Sequence, residues 1–241
     1  FEDGVVVSMP DEADIVLSSA GLTGNRGLEE ALESENMPLA SFFNDLPDLV
    51  ADYGDPLSDV QPSYVTSTMV NTVPLTGAGH IEMADLQPNA VNSITCTGGK
   101  RLTLLNTTVI ENVVISTNCE IKISAGLVLE NSVIATSNTD TASISAPSGG
   151  VRFGSTTYCT DGVGDVVIVT LGGVRIASGL EAYGTNIFAA GDMSITSNPN
   201  GLGGINFMAG GRIDATANGD LGFCDLGAPT PYNIPVFRMV L

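Results

Sequence analysis

The side chains able to do chemistry are few in this chain, and their spacing does not suit catalysis. Asn138, Thr139 and Asp140 form an Asn-Thr-Asp tripeptide. A carboxylate there could serve glycoside hydrolysis, but that reaction takes a pair of carboxyl groups flanking the scissile bond. No Asp-Asp pair follows, and no histidine or Arg-Ile-Lys element lies downstream. The tripeptide therefore reads as a polar corner loop. Asp161 and Asp165 lie in TDGVGD, where oxygen ligands for Ca²⁺ are conceivable, yet the spacing and terminal Glu of a calcium loop are missing. The single histidine, His80, follows a Gly-Ala-Gly too short to cradle a phosphate and reads as a surface polar residue. Neither a phosphate-binding Gly-rich loop nor a nucleophilic serine elbow occurs. Arg152 and Arg175 are expected to stack on one solvated outer face. We expect no enzyme, no cofactor and no metal site.

Four cysteines remain: Cys96, Cys119, Cys159 and Cys224. They form no close pairs, and one histidine cannot complete a zinc site with them. An even count without metal spacing fits two disulfides in an oxidising compartment. Cys96 and Cys119 lie 23 residues apart. If that is one coil of a repeating structure, the two face each other on neighbouring rungs. Cys159 and Cys224 are left to pair by elimination. They lie about three coils, roughly 14 Å, apart along such a stack, so the loop 154–165 must then fold along it.

The repeat that would position these residues is visible after Gly98. Six segments overlay: GGKRLTL, AGLVLE, GGVRFG, GGVRIA, AGDMSI and GGRIDA. Their glycines, Gly99, Gly126, Gly150, Gly173, Gly191 and Gly211, are separated by 27, 24, 23, 18 and 20 residues. Each is followed by an alternating triplet such as Val151-Arg152-Phe153 or Val174-Arg175-Ile176, with the outer two side chains directed inward. Further triplets around Ile121, Ile144 and Val113 suggest additional strand faces. A period near 20 with insertions marks a solenoid, because one coil cannot bury its inner face without neighbours. The connections are too short for crossover helices. We expect a mostly β protein: a parallel β-helix over 94–224, preceded by an acidic, partly helical region 1–93 and followed by a tail, 225–241.

Charge separates these regions. The net charge is −19, from 27 acids and 8 bases, and residues 1–60 hold 14 of the acids with only Arg26 in opposition. Nucleic acid and anionic membranes are improbable partners for such a chain; a basic protein is the expected partner of 1–60. Between Gly27 and Phe43, the spacing up to Leu32 favours an amphipathic helix that Pro38 ends or kinks. DLPDLVADYGDPLSD offers one helical turn or a loop. The tail APTPYNIPVFRMVL ends in Val236, Phe237, Met239 and Leu241, an apolar run expected either to cap the last coil or to contact another subunit. No run of 18 apolar residues occurs, and the chain starts at Phe1 without Met, so any membrane attachment is expected through an upstream segment that was removed.

Residues 178–224, with the SGLEAYG corner, AAGD and NGDLGFC, resemble the extracytoplasmic region of bacterial tight-adherence (Flp) pilus-assembly proteins of the TadG-like type; the likeness extends weakly to Cys96. The resemblance implies a role in assembling or decorating surface pili and supplies no catalytic residue. The expected function is a non-enzymatic cell-surface or envelope component, extracytoplasmic, working with other subunits of an assembly. The alternative is a carbohydrate-active β-helix enzyme or a lectin-like polysaccharide binder.

Overall fold

The computed structural model describes residues 15–17, 39–75, 77–147, 149–177, 179–197, 202–217 and 221–222. They build a parallel β-solenoid with three faces. Face 1 stacks His80–Ile81, Arg101–Leu104, Glu120–Ile123, Ile144–Ala146, Val174–Ile176, Met193–Ser197 and Ile213–Ala217. A second sheet bends into faces 2 and 3, because the strands Ile110–Thr117 and Val128–Thr136 run across the corner between them. Val151–Phe153 and Leu180–Tyr183 continue face 2, while Ala90–Ile94, Val166–Thr170, Thr185–Ala189 and Asn206–Ala209 belong to face 3.

Every inner position repeats in register. On face 1, Leu102, Ile121, Ile144, Val174, Met193 and Ile213 form one column. On face 3, Ile115, Ile134, Ile168, Ile187 and Phe207 form another. These side chains pack into one continuous core, and stacking at about 4.8 Å satisfies the strand backbones between rungs. The inward assignments of Val151, Phe153, Val174 and Ile176 hold, as do the outward ones of Arg152 and Arg175.

The glycine phase requires correction. Gly126 and Gly150 precede face 2 strands, whereas Gly173, Gly191 and Gly211 precede face 1 strands. The overlay therefore mixed two corners. Val174 pairs Met193 and Met193 pairs Ile213, steps of 19 and 20 residues. Ile134 to Ile168 takes 34 because a loop carrying the short helix Tyr158–Asp161 is inserted. For the same reason Arg152 and Arg175 lie on different faces and do not stack. The corner from face 2 to face 3 is turned by asparagine in the first coils, where Asn89, Asn112 and Asn131 have φ of 58°, 55° and 43°, and by glycine in later ones, where Gly184 and Gly204 have φ of 55° and 63°. Asn enters this left-handed region more readily than other side-chain-bearing residues. Glycine is required at Gly154, with φ at +86°, where a Cβ would collide with the Tyr183 carbonyl oxygen.

Parallel pairing also begins upstream of residue 94. Asn71–Val73 pairs with Ala90–Ile94, and His80–Ile81 with Arg101–Leu104. The first coil is secured by buried Asn92, whose Oδ1 accepts from Asn71 Nδ2 and Gln87 N, both at 2.7 Å. The strand Ile15–Leu17 pairs with Ile213–Ala217, so the acidic region extends face 1 past its last coil.

Helix α1 (Leu39–Asp52) lies where one helical turn or a loop was expected; the Glu-rich stretch up to Pro38 lies outside the described residues. It contains Pro47, which costs the interior of a helix about 3 kcal/mol. The packing of Leu46, Leu49, Val50 and Tyr53 onto the outside of face 3 offsets that cost. They cover Val91, Val114, Val133, Ala135, Val169 and Phe188, outward positions on five successive rungs. Face 3 is thus apolar on both sides, and α1 runs across it as an outer layer.

Cys96 and Cys119 are disulfide-bonded with Cα atoms 5.3 Å apart, joining neighbouring rungs as the one-coil spacing predicts. Asn118 reinforces the link, its Oδ1 accepting from Cys96 N at 2.7 Å. Replacing both cysteines by serine should lower unfolding free energy by about 2–3 kcal/mol, measured by denaturant melts of oxidised wild type against the double variant.

Candidate interaction surface

The three faces present three different outer chemistries. Face 3 is occupied by α1, leaving beside the helix a 340 Å³ groove lined by Pro47, Val50, Ser93, Ser116, Asn118 and other residues. Face 2 is acidic: Glu111, Glu130 and Glu181 point outward around Arg152, which pairs with Glu130 at 2.8 Å. Tyr183 sits beside this group, its phenol pushed up by burial and by Glu181.

Face 1 carries the opposite charge. Its central outward column reads His80, Thr103, Lys122, Ser145, Arg175, Ser194 and Asp214, one residue per rung. Lys122 and Arg175 are exposed, and the hydroxyl residues Thr103, Ser145 and Ser194 that alternate with them are half-buried. Arg101 pairs with Glu120 at 2.9 Å, and Arg212 with Asp214 at 3.4 Å. Lys122 and Arg175 form no ion pair among the described residues.

The insertion brings Asp165 over α1 and the loop that follows it. Burial, and secondarily the charge of Asp165, push the Tyr53 and Tyr64 phenols well above their ordinary value of 10. The Tyr64 hydroxyl is buried without a hydrogen-bond partner among the described residues. Asp165 remains exposed as a residue, yet crowding by the protein raises its carboxyl above the ordinary 3.8. The folded state then holds its proton more tightly than the unfolded state, so stability falls as pH rises through that window. Asp165→Asn should melt higher than wild type at neutral pH, and the gap should close below the ordinary carboxyl value. A pH series of thermal melts checks this.

The other residues singled out in the sequence do not converge. Asn138 and Asp140 bond each other in a polar corner, Asp140 N donating to Asn138 Oδ1 at 3.0 Å. Asp161 Oδ1 accepts from Val163 N at 2.9 Å, a turn contact, and Asp165 faces the two phenols instead. Among the described residues no three His, Cys, Asp or Glu side chains gather as metal ligands. Cys159 is disulfide-bonded. Cys224, Val236, Phe237, Met239 and Leu241 lie outside the described residues. What sequence reading missed is the cationic column, because its members come from strands whose registry was misphased.

Residues 1–225 match the family model described as a domain of unknown function (DUF7867). The chain belongs to this family. The match spans the acidic N-terminal region, α1 and the solenoid, consistent with one unit in which α1 covers the coils. No curated protein and no solved structure matches the chain. Among the described residues, no helix is long and apolar enough to cross a membrane.

Proposed function

We propose that this DUF7867 protein is a non-enzymatic, extracytoplasmic component of a cell-surface assembly, with a structural or assembly role in a pilus of the tight-adherence type. The observation that carries the reading is the edge of the first coil. Asn71–Val73 and His80–Ile81 each have a strand partner on one side only among the described residues. Such strands accept a further strand from another chain. Met69 and Val70, 75% and 39% exposed, set apolar surface beside them. The disulfide supports an oxidising compartment, and the likeness of residues 178–224 to TadG-like proteins supports the pilus. The acidic segment 1–60 and the tail residues Val236, Phe237, Met239 and Leu241 are further contact elements in this proposal.

The test is made in cells. A Met69→Glu, Val70→Lys variant should lose or shorten surface filaments seen by electron microscopy, while the purified protein stays within about 0.5 kcal/mol of wild type, as exposed substitutions do. Filaments of normal number and length would refute the edge as the contact.

A further inference from the structure

We propose that the outer side of face 1 binds an extended, carboxylated polysaccharide, with Lys122 and Arg175 as anion contacts and Thr103, Ser145 and Ser194 as hydroxyl contacts. The distribution of charge points there first. Of the six basic residues described within the solenoid, Lys100, Arg101, Lys122, Arg175 and Arg212 lie in or directly before a face 1 strand; Arg152 alone lies on face 2. By the same criterion the face holds three acids, Glu120, Asp192 and Asp214, so in a protein of net charge −19 this surface is locally net cationic. It is complementary to an anion, and among the described residues Lys122 and Arg175 have no carboxylate of their own to neutralise them.

The spacing selects a linear ligand. Lys122 is in register with Ser145 and Ser145 with Arg175, so the two cations stand two rungs, about 10 Å, apart. Thr103 precedes Lys122 and Ser194 follows Arg175 in the same column. Cation and hydroxyl therefore alternate along the solenoid axis. An extended glycan with carboxylates on alternate sugars presents charges at a comparable repeat, with hydroxyls between them.

The composition of the face excludes the competing polymers on physical grounds. Protein interfaces centre on buried aromatic or apolar anchors and are depleted in Lys and Ser. No outward residue of this column from His80 to Asp214 is apolar. The strands of the column between Arg101 and Ala217 are paired on both sides, so no backbone is free for strand addition. Nucleic acid carries a far denser charge than two separated cations can neutralise, and the acidic body repels it. A hydrated, sparsely charged chain meets neither obstacle.

This site goes beyond the assembly role and involves different residues from the first-coil edge, so either reading can fail alone. The experiment is a titration of the full chain with hyaluronan oligosaccharides at low salt, followed by calorimetry and by backbone NMR shifts. We expect weak, salt-sensitive binding, with shifts centred on Lys122, Ser145 and Arg175. Lys122→Gln, Arg175→Gln should weaken it at least tenfold, and Lys122→Glu, Arg175→Glu should abolish it. Arg152→Gln on face 2 should leave it unchanged. Circular dichroism and the melting temperature show that each variant is folded; both positions are exposed. The proposal is overturned by no binding at millimolar oligosaccharide, by equal binding of neutral dextran, or by binding that survives the double charge reversal. Tighter binding of poly-glutamate or of a single-stranded oligonucleotide would overturn it too, and would assign the face to an acidic peptide or to nucleic acid.

Discussion

Val174→Asp is expected to cost at least about 4 kcal/mol and to lower the melting temperature by on the order of 10 °C. Val174 is 1% exposed and stacks between Ile144 and Met193 in the inner column of face 1. The substitution forfeits the burial of an aliphatic side chain, about 1.5–3 kcal/mol, and places a carboxylate among the apolar side chains of the inner column. The protein avoids the full charge penalty by holding the new carboxyl protonated, which raises its pKa in the folded state. The deficit relative to wild type should therefore shrink as pH falls. Arg175→Asp, one residue along, puts the same group into solvent and should cost under about 1 kcal/mol. Comparing the two by denaturant unfolding reads the register directly, because a one-residue slip would exchange their effects.

Leu46→Asp should separate the outer layer from the coils. Leu46 is fully buried between α1 and face 3, and a charge there costs on the order of 3–5 kcal/mol. Pro47 already weakens the helix, so its attachment depends on packing. We expect α1 to detach while the solenoid survives, since its inner columns do not include the helix. The outer stripe of Val114, Val133, Val169 and Phe188 would then face water. A fluorescent hydrophobic dye should bind the variant strongly and the wild type hardly at all, and the variant should self-associate. Far-ultraviolet circular dichroism should retain its strand signal. Complete unfolding would mean that α1 and the coils form one cooperative unit.

The solenoid was legible in the sequence because its inner columns impose strict alternation on short strands, and no other part of the chain mimics that pattern. The phase was not legible. Glycine turns corners before face 1 at Gly173 and before face 2 at Gly150, so glycine alone does not say which face follows. The remaining corner is turned by Asn89, Asn112 and Asn131 in the first coils and by Gly184 and Gly204 in later ones, and nothing in the alternation distinguishes those asparagines from ordinary polar residues. The position of α1 was hidden for a different reason. Pro47 breaks the local helical signal, and what restores it is contact with Val133 and Val169, more than 80 residues away in the chain. Those outward valines sit in alternating strands and also form the floor under a helix, which alternation alone does not reveal. The Cys96–Cys119 bond was found because it depends on coil length alone. The cationic column depends on true register and emerged only with it.

Distances along face 1 test the parallel, in-register solenoid most directly. Cysteines introduced at Thr103, Ser145, Ser194 and Asp214 occupy one outward column, at rungs fixed by strand pairing. Spin labels at Thr103 and Ser145 should report a backbone separation of about 10 Å, at Thr103 and Ser194 about 19 Å, and at Thr103 and Asp214 about 24 Å. Distances that fail to rise in this order, or a Thr103–Asp214 separation as short as that of Thr103 and Ser145, would contradict the solenoid.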